Sequence, residues 1–339
     1  MALASVTATT LALLRDQLTD QSPAGLPLFA AVEARGNRIE VDGGSRVELP
    51  LMIGDSTSGT QLTTGYEALN MAVKSPFKSA AFEWVDIELP IIMSAVEALS
   101  NKGELARVSI AKGLLQKALI SLKRDINRAF MAGLSWTTNP YTAIQSPYGA
   151  TTAVSTGWLE GVALASRQNS VGGLSQLTYG ADGWANQFKD CGAALTLAKL
   201  DELLNKCMLE SPLGEPPDMI FMSSACYNAF SALAKNVTMP SDIKDRFNFQ
   251  KGVLKEYNGA AVYQDKWLGF TAQSPAKPVS AYCLNSANVK IYNDKDAWFE
   301  VGDMVEIPGS SALASKLKLR FQIVIDSLAG QGLLLDAEA

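Results

Sequence analysis

The 339-residue chain contains no histidine, and that one absence removes several kinds of chemistry at once. Ser-His-Asp and Cys-His nucleophilic sites, histidine-ligated zinc and imidazole proton transfer are all excluded. Cysteine is nearly as scarce. Cys191, Cys207, Cys226 and Cys283 are too few and too unevenly spaced for a disulfide framework or a zinc site, both of which use close pairs. They read as small buried hydrophobes in a reducing cytoplasm. No segment approaches the ~20 apolar residues of a membrane span, and the start, MALASVTATTLALLRDQL, lacks the basic n-region and long apolar run of a signal peptide. The expectation is a protein made and kept in the cytoplasm with no membrane partner, in which the glycosylation pattern Asn236-Val-Thr238 is a chance match.

Motifs of catalysis are missing as well. The glycines of SVGG and AGQG do not join a strand to a helix in the order that cradles a phosphate. Ser75-Pro-Phe-Lys78 matches the SxxK pattern in which a lysine activates a serine, but the K-[ST]-G element that such enzymes also need occurs nowhere. Asn293-Asp294-Lys295-Asp296 opens like a calcium loop yet lacks the turn glycine and the distal bidentate glutamate, so a polar β-turn is expected. Asp201-Glu202 reads as solvated helix surface. The six tryptophans are spread through the chain rather than interleaved with basic residues, which points to core and interface packing rather than base stacking. A cytoplasmic hydrolase using a Ser-Lys pair or two carboxylates therefore has no supporting motif. No catalytic, cofactor-binding or metal-ligating residue is assigned, and no cofactor is expected.

What is present is an ordinary folding composition, 47% hydrophobic and 19% charged, in a chain long enough for two or three domains. One helix stands out. Leu105, Val108, Ala111, Leu115, Leu119, Leu122, Ile126 and Ala129 recur at steps of three or four, the spacing of one helical face. Asn101 and Glu104 fit an N-terminal capping box and Gly133 a C-terminal stop, so the spacing predicts a helix over 102–132, a rod of roughly 45 Å at about 1.5 Å per residue. It carries seven basic residues against two acidic ones, net +5, while the rest of the chain holds 22 against 32. A basic rod thus belongs to an acidic body. Either its charges form a solvated face, or Lys112, Lys117, Arg124 and Arg128 face the acidic surface of another copy or a packaged polyanion.

Around this rod the chain is organised in sequence. A short helix at 10–19 and the breaker SPAGLP read as an arm that packs on something other than its own core. Two extended runs follow, RIEVDGGSRVELPLMI and AAFEWVDIELPII, the second with Val85, Ile87, Leu89 and Ile91 on one face; they are expected to pair as a long two-stranded projection around a polar stretch at 54–65. Residues 135–195 read as a long glycine- and serine-rich connection. Helix, strand, helix and an Asn258-Gly259 hairpin come next, and the chain closes on a half-buried strand in which Leu317, Leu319, Phe321, Ile323 and Ile325 alternate with Lys316, Lys318, Arg320, Gln322 and Val324. The fold class is α+β.

The runs RVELPLM and FEWVDIELPIIMS, the long helix, and the stretches GWLEG, SVGGLSQLTYGADGWANQ, VYQDKWLG and WFEVGDMVEIPG, taken in this order, resemble the major capsid proteins of tailed bacteriophages with the Hong Kong 97-type fold. The resemblance extends from about Arg38 to Leu335. It implies an N-terminal arm (1–37), an extended loop (38–92), a peripheral domain built on the spine helix (93–184 and 286–339) and an axial domain (185–285). It further implies a structural protein rather than an enzyme, one that self-assembles into pentamers and hexamers of an icosahedral shell enclosing double-stranded DNA, located in the virion and assembled in the host bacterial cytoplasm. Implied partners are other copies, a portal protein, a separate scaffolding protein because the 37-residue arm is short for a built-in one, and optionally a decoration protein. Some relatives weld copies through lysine-asparagine bonds, and Lys74 and Lys78 lie in the implied loop, though no motif matches that chemistry. The acidic net charge speaks against tight DNA binding, leaving weak non-specific contact by the spine's basic face. An encapsulin-like cellular compartment shares the fold and is the alternative, told apart by its cargo.

Overall fold

In the computed structural model, residues 31–32, 35–53, 64–65, 77–96, 110–132, 146–148, 157–159, 170–180, 182–192, 194–236, 247–250, 253–268 and 279–337 are described. Strands β1 (Arg38–Val41), β2 (Arg46–Met52), β3 (Phe77–Glu83) and β4 (Val85–Ser94) precede the long helix α1 (Ile110–Ala132). Then come β5 (Ser146–Tyr148), β6 (Gly157–Leu159), β7 (Ser170–Val171), β8 (Leu174–Ser175), the one-turn helix α2 (Gln176–Tyr179) and β9 (Gln187–Asp190). Helix α3 (Leu197–Glu210), β10 (Met219–Met222), helix α4 (Ser224–Asn236), β11 (Phe247–Gln250), β12 (Val253–Tyr257), β13 (Ala260–Gln264) and β14 (Val279–Leu284) follow. The chain ends through β15 (Val289–Asp294), β16 (Glu300–Val301), β17 (Val305–Glu306), β18 (Ala312–Ile325) and β19 (Gly332–Leu335).

The chain divides into two compact units. In the larger, a seven-stranded sheet runs in the order β11-β12-β13-β10-β14-β19-β9. Its central strands MIFM, VSAYCL and GLLL are buried along their whole length, as strands covered on both faces must be. On one face Ile220, Met222, Val262, Cys283 and Leu334 meet Leu200, Leu203, Leu204 and Cys207 of α3 and Cys226, Phe230 and Ala234 of α4. Tyr282, whose side chain points the opposite way along β14, donates from its hydroxyl to the carbonyl of Met131 at 3.1 Å, so the end of α1 belongs to the other face. Side-chain caps start both helices of this unit. Thr196 accepts from the Lys199 N–H at the start of α3, and Ser223 from the Cys226 N–H at the start of α4. The β12–β13 turn holds Asn258 at φ 50° and Gly259 at φ 80°, the two positive angles of a type I′ turn.

Strand β18 contributes to both units. Its later residues, 321–325, pair with β15, which is flanked in parallel by β1, and every one of them is buried. The expected alternation therefore holds over Lys316–Arg320 and gives way to burial on both faces beyond it. In the smaller unit, residues 312–318 pair with β16 and β17. The alternation KLKLR puts three cations on one face, each beside a carboxylate of a neighbouring strand. Lys316 bonds Glu88 at 2.8 Å and Lys318 lies 3.5 Å from Glu300 in the smaller unit, and Arg320 lies 3.4 Å from Asp86 in the larger. The Lys316 bond holds the Glu88 carboxyl below its usual range.

The two extended runs pair differently from the expectation. Antiparallel pairing joins β2 to β3 from Arg46↔Glu83 to Met52↔Phe77, whereas β1 pairs β15 and β4 leaves at Trp84 to pair β18. The reason is burial: Val85, Ile87, Ile91 and Met93 are covered in the body, a larger gain than an unsupported hairpin offers. Nor does the arm's root pack away from its own chain. Ala31 and Val32 are buried, Arg35 pairs with Asp218 and donates to Ser286 Oγ at 2.7 Å, and Asn37 bonds the Ser286 carbonyl. The helix expected at 10–19, the polar stretch 54–63, residues 102–109 with the Asn101–Glu104 cap, and Gly133 lie outside the described residues. Described, the long helix covers 23 residues, about 35 Å.

Candidate interaction surfaces

The β2–β3 hairpin has two unlike faces because its side chains alternate. Val47, Leu49 and Leu51 share one face with Phe82, Ala80 and Lys78, and this face is half-buried or buried. Its base is closed by the β7–β8 turn, where Gly172 sits at φ +56° and accepts the Ala81 N–H at 2.9 Å. A Cβ on Gly172 would lie 2.7 Å from the Ala80 Cβ and 3.2 Å from its Cα. We therefore expect Gly172→Ala to cost about 1–3 kcal/mol through overpacking and the positive φ. Faster hydrogen exchange at the Ala81 amide, with the seven-stranded sheet unaffected, is the readout. The opposite face is open: Arg46 and Glu48 form an ion pair at the base, and Met52 and Phe77 stand opposite each other at the far end, 77% and 67% exposed. Two large apolar side chains so placed mark a surface made to be covered.

The basic helix is less free than its charge count suggests. Lys117 is exposed, and Lys112 stands on the same helix. Arg124 is half-buried with its Nε 3.3 Å from Asp125, and Arg128 lies over the Trp267 ring at 4.4 Å. The structure therefore engages Arg124 and Arg128 within the chain. Lys78, the other half of the SxxK pattern, lies over the Tyr179 ring at 5.7 Å, and Ser75 falls outside the described residues.

Sequence separation concealed several groupings. All four cysteines are free, buried and gathered in the core between the large sheet and its two helices. Burial pushes the Cys191 thiol up to about 11 and Cys207 up to about 12, and raises Cys283 as well, so these thiols stay neutral and unreactive at ordinary pH. Asp201 and Glu202 stand at the surface of α3, Glu202 exposed as read and Asp201 half-buried, and both have partners. Asp201 accepts from the Tyr257 hydroxyl at 2.6 Å and from Asn258 at 3.2 Å, tying α3 to the type I′ turn, and Glu202 pairs with Lys189. Basic side chains cover three tryptophans despite lacking proximity in sequence in two cases: Arg320 over Trp84, Arg38 over Trp298, and Arg128 with Lys266 over Trp267. Asp294 closes the supposed calcium loop as a turn, its Oδ1 accepting the Asp296 N–H at 3.0 Å. Among the described residues no helix is long and apolar enough to cross a membrane.

Comparison with known proteins bears on these surfaces. The family model described as "SU10 major capsid protein" matches residues 98–262. No curated protein matches the sequence. Among solved structures, a chain of the cyanophage A-1(L) capsid asymmetric unit has a TM-score of 0.66 at 12% identity, covering 100% of this chain and 99% of that one. The Mycobacterium phage Bobi structure has a TM-score of 0.55 at 14% identity, covering 97% and 96%. The holo-SrpI encapsulin complex from Synechococcus elongatus PCC 7942 gives 0.58 at 10%, covering 100% and 96%. At such identities the structural likenesses speak for the fold, and they do so from end to end. Fold along the whole length and family over the central residues agree: the chain has the Hong Kong 97-type fold of tailed-phage capsids, and its residues 98–262 match the family of SU10 major capsid proteins.

Proposed function

We propose that copies of this chain assemble into pentamers and hexamers that close into an icosahedral shell around packaged double-stranded DNA, without catalysis. The observation that carries this reading is the end-to-end likeness to a chain of an assembled phage capsid, TM-score 0.66 over 100% of this chain. The open hairpin face bearing Met52 and Phe77 supports it, because closed shells of identical chains cover such faces with neighbouring copies. In this reading 1–37 is the arm, 38–92 the extended loop, 93–184 with 286–339 the peripheral domain and 185–285 the axial domain. A separate scaffolding protein directs assembly and a portal occupies one vertex, with a decoration protein an optional outer partner. Lys112 and Lys117 supply weak contact with DNA at the inner wall, and Arg124 and Arg128 add field rather than direct contact because they are engaged within the chain. In imaged full particles the innermost DNA layer then lies closer to Lys117 than to the rest of the wall; an even gap would remove these residues from the inner face.

The likeness to an encapsulin favours one second reading, a cellular compartment of the same fold. Cargo separates the two: packaged genome for a virion, an enzyme for a compartment. Sedimentation and electron imaging of the chain, alone and with its scaffolding partner, test the assembly itself. Rings or regular shells are expected. A monomer that persists at high concentration with the partner present would end the shell reading.

A further inference from the structure

Near the end of α1, Asn127 is fully buried, and its Nδ2 donates to Asp265 Oδ2 at 2.8 Å. Asp265 follows β13 and is 3% exposed. Its Oδ1 accepts the Trp267 N–H at 2.7 Å, and its own N–H donates to the Met222 carbonyl at 2.9 Å. Among the described residues the charge acting on this carboxyl is Lys266 on its own turn, and Lys266 and Arg128 of the helix each lie 4.4 Å over the neighbouring Trp267 ring. Beside it, β10 brings only apolar side chains. The Oδ1 of Asn127 is buried with no hydrogen-bond partner. A carboxylate and a carboxamide thus meet with more acceptor atoms than hydrogens to share, away from water.

We propose that the Asn127–Asp265 pair is a proton-sensitive strap, holding the last turns of α1 to the seven-stranded sheet more firmly when Asp265 is protonated than when it is ionised. Both states are bonded. The ionised carboxylate accepts N–H from Asn127 and Trp267, as seen. When a proton sits on Oδ2, the Asn127 amide turns end for end and its Oδ1 accepts that O–H, while Asp265 Oδ1 keeps the Trp267 N–H. What differs is the buried charge, whose desolvation disfavours the ionised form. Burial accordingly raises the Asp265 carboxyl above its ordinary range, opposed by the bonds from Asn127 and the Trp267 N–H and by the Lys266 charge. A raised folded-state value means that the folded chain holds this proton more tightly than the unfolded one. The stabilisation is complete below the ordinary value of 3.8 and is lost as pH rises through the raised value.

Hydrogen exchange of the full-length chain tests this in the amides of 126–132 and 265–267, with rates corrected for the intrinsic effect of pH. In the wild type the opening constant should grow with rising pH, about tenfold for each unit by which the folded value is raised. Asp265→Asn is neutral and isosteric and can keep both bonds, so it should stay flat at the level of the acid form. Parallel pH dependence in the two proteins, or none in the wild type, overturns the strap. A carbon-13 titration of the wild-type Asp265 carboxyl decides the matter even where the variant fails to fold: a midpoint above 3.8 is required, and one at or below it is fatal.

Discussion

Phe230→Ala is expected to lower the unfolding free energy of the larger unit by about 3–5 kcal/mol. Phe230 is fully buried on the inward face of α4, and its ring meets the Tyr257 ring edge-on at 5.1 Å. Truncation loses the transfer of the ring out of water, the aromatic contact and the packing of atoms that cannot close the cavity, because α4 is held to β14 and the sheet by neighbours on every side. Tyr257 is also the residue whose hydroxyl bonds Asp201, so a cavity beside it loosens the tie between α3 and the β12–β13 turn. Phe230→Leu keeps most of the volume and should cost clearly less. Denaturant unfolding followed by a probe in the large sheet measures both, and equal losses in the two variants would mean that the site collapses freely.

The second large effect is on assembly rather than stability. Met52→Glu with Phe77→Glu places two charges on the open end of the hairpin, where the native side chains are 77% and 67% exposed. Because so little of either is buried within the chain, the thermal midpoint should hold, surface changes of this kind usually falling within about 0.5 kcal/mol. Shell formation should fail, since covering two unpaired carboxylates with a neighbouring copy carries a desolvation penalty that the lost apolar contact no longer offsets. Sedimentation of the folded double variant is the measurement. Normal shells would show that this face stays bare after assembly, and an unfolded product would move Met52 and Phe77 into the chain's own core.

Much of the stretch from 196 to 264 was legible because its signals are local. The helical stretches TLAKLDELLNKCML and CYNAFSALA and the Asn-Gly between two short apolar runs each specify their element within a few residues, and each element forms as read. The hairpin was half legible. Alternation in FEWVDIELPII declares one apolar face but does not say which sheet will bury it, and the chain changes partners at Trp84, a choice made by residues more than two hundred positions away on β18. The basic face of α1 was visible as charge, but Asp125 and Trp267 decide how Arg124 and Arg128 spend it.

By itself, then, the sequence determined the periodicities, the caps, the type I′ turn, the absence of histidine chemistry and, through the order of its segments, the resemblance to capsid proteins. Tertiary structure alone decided which distant groups meet: four scattered cysteines in one inert core, Gly172 against Ala80, and Asn127 against Asp265 across 138 positions. The physical reason is range. Backbone preferences and short-range hydrogen bonds are set within a few residues, whereas burial, desolvation and the sharing of a proton depend on whatever the fold brings to the same place.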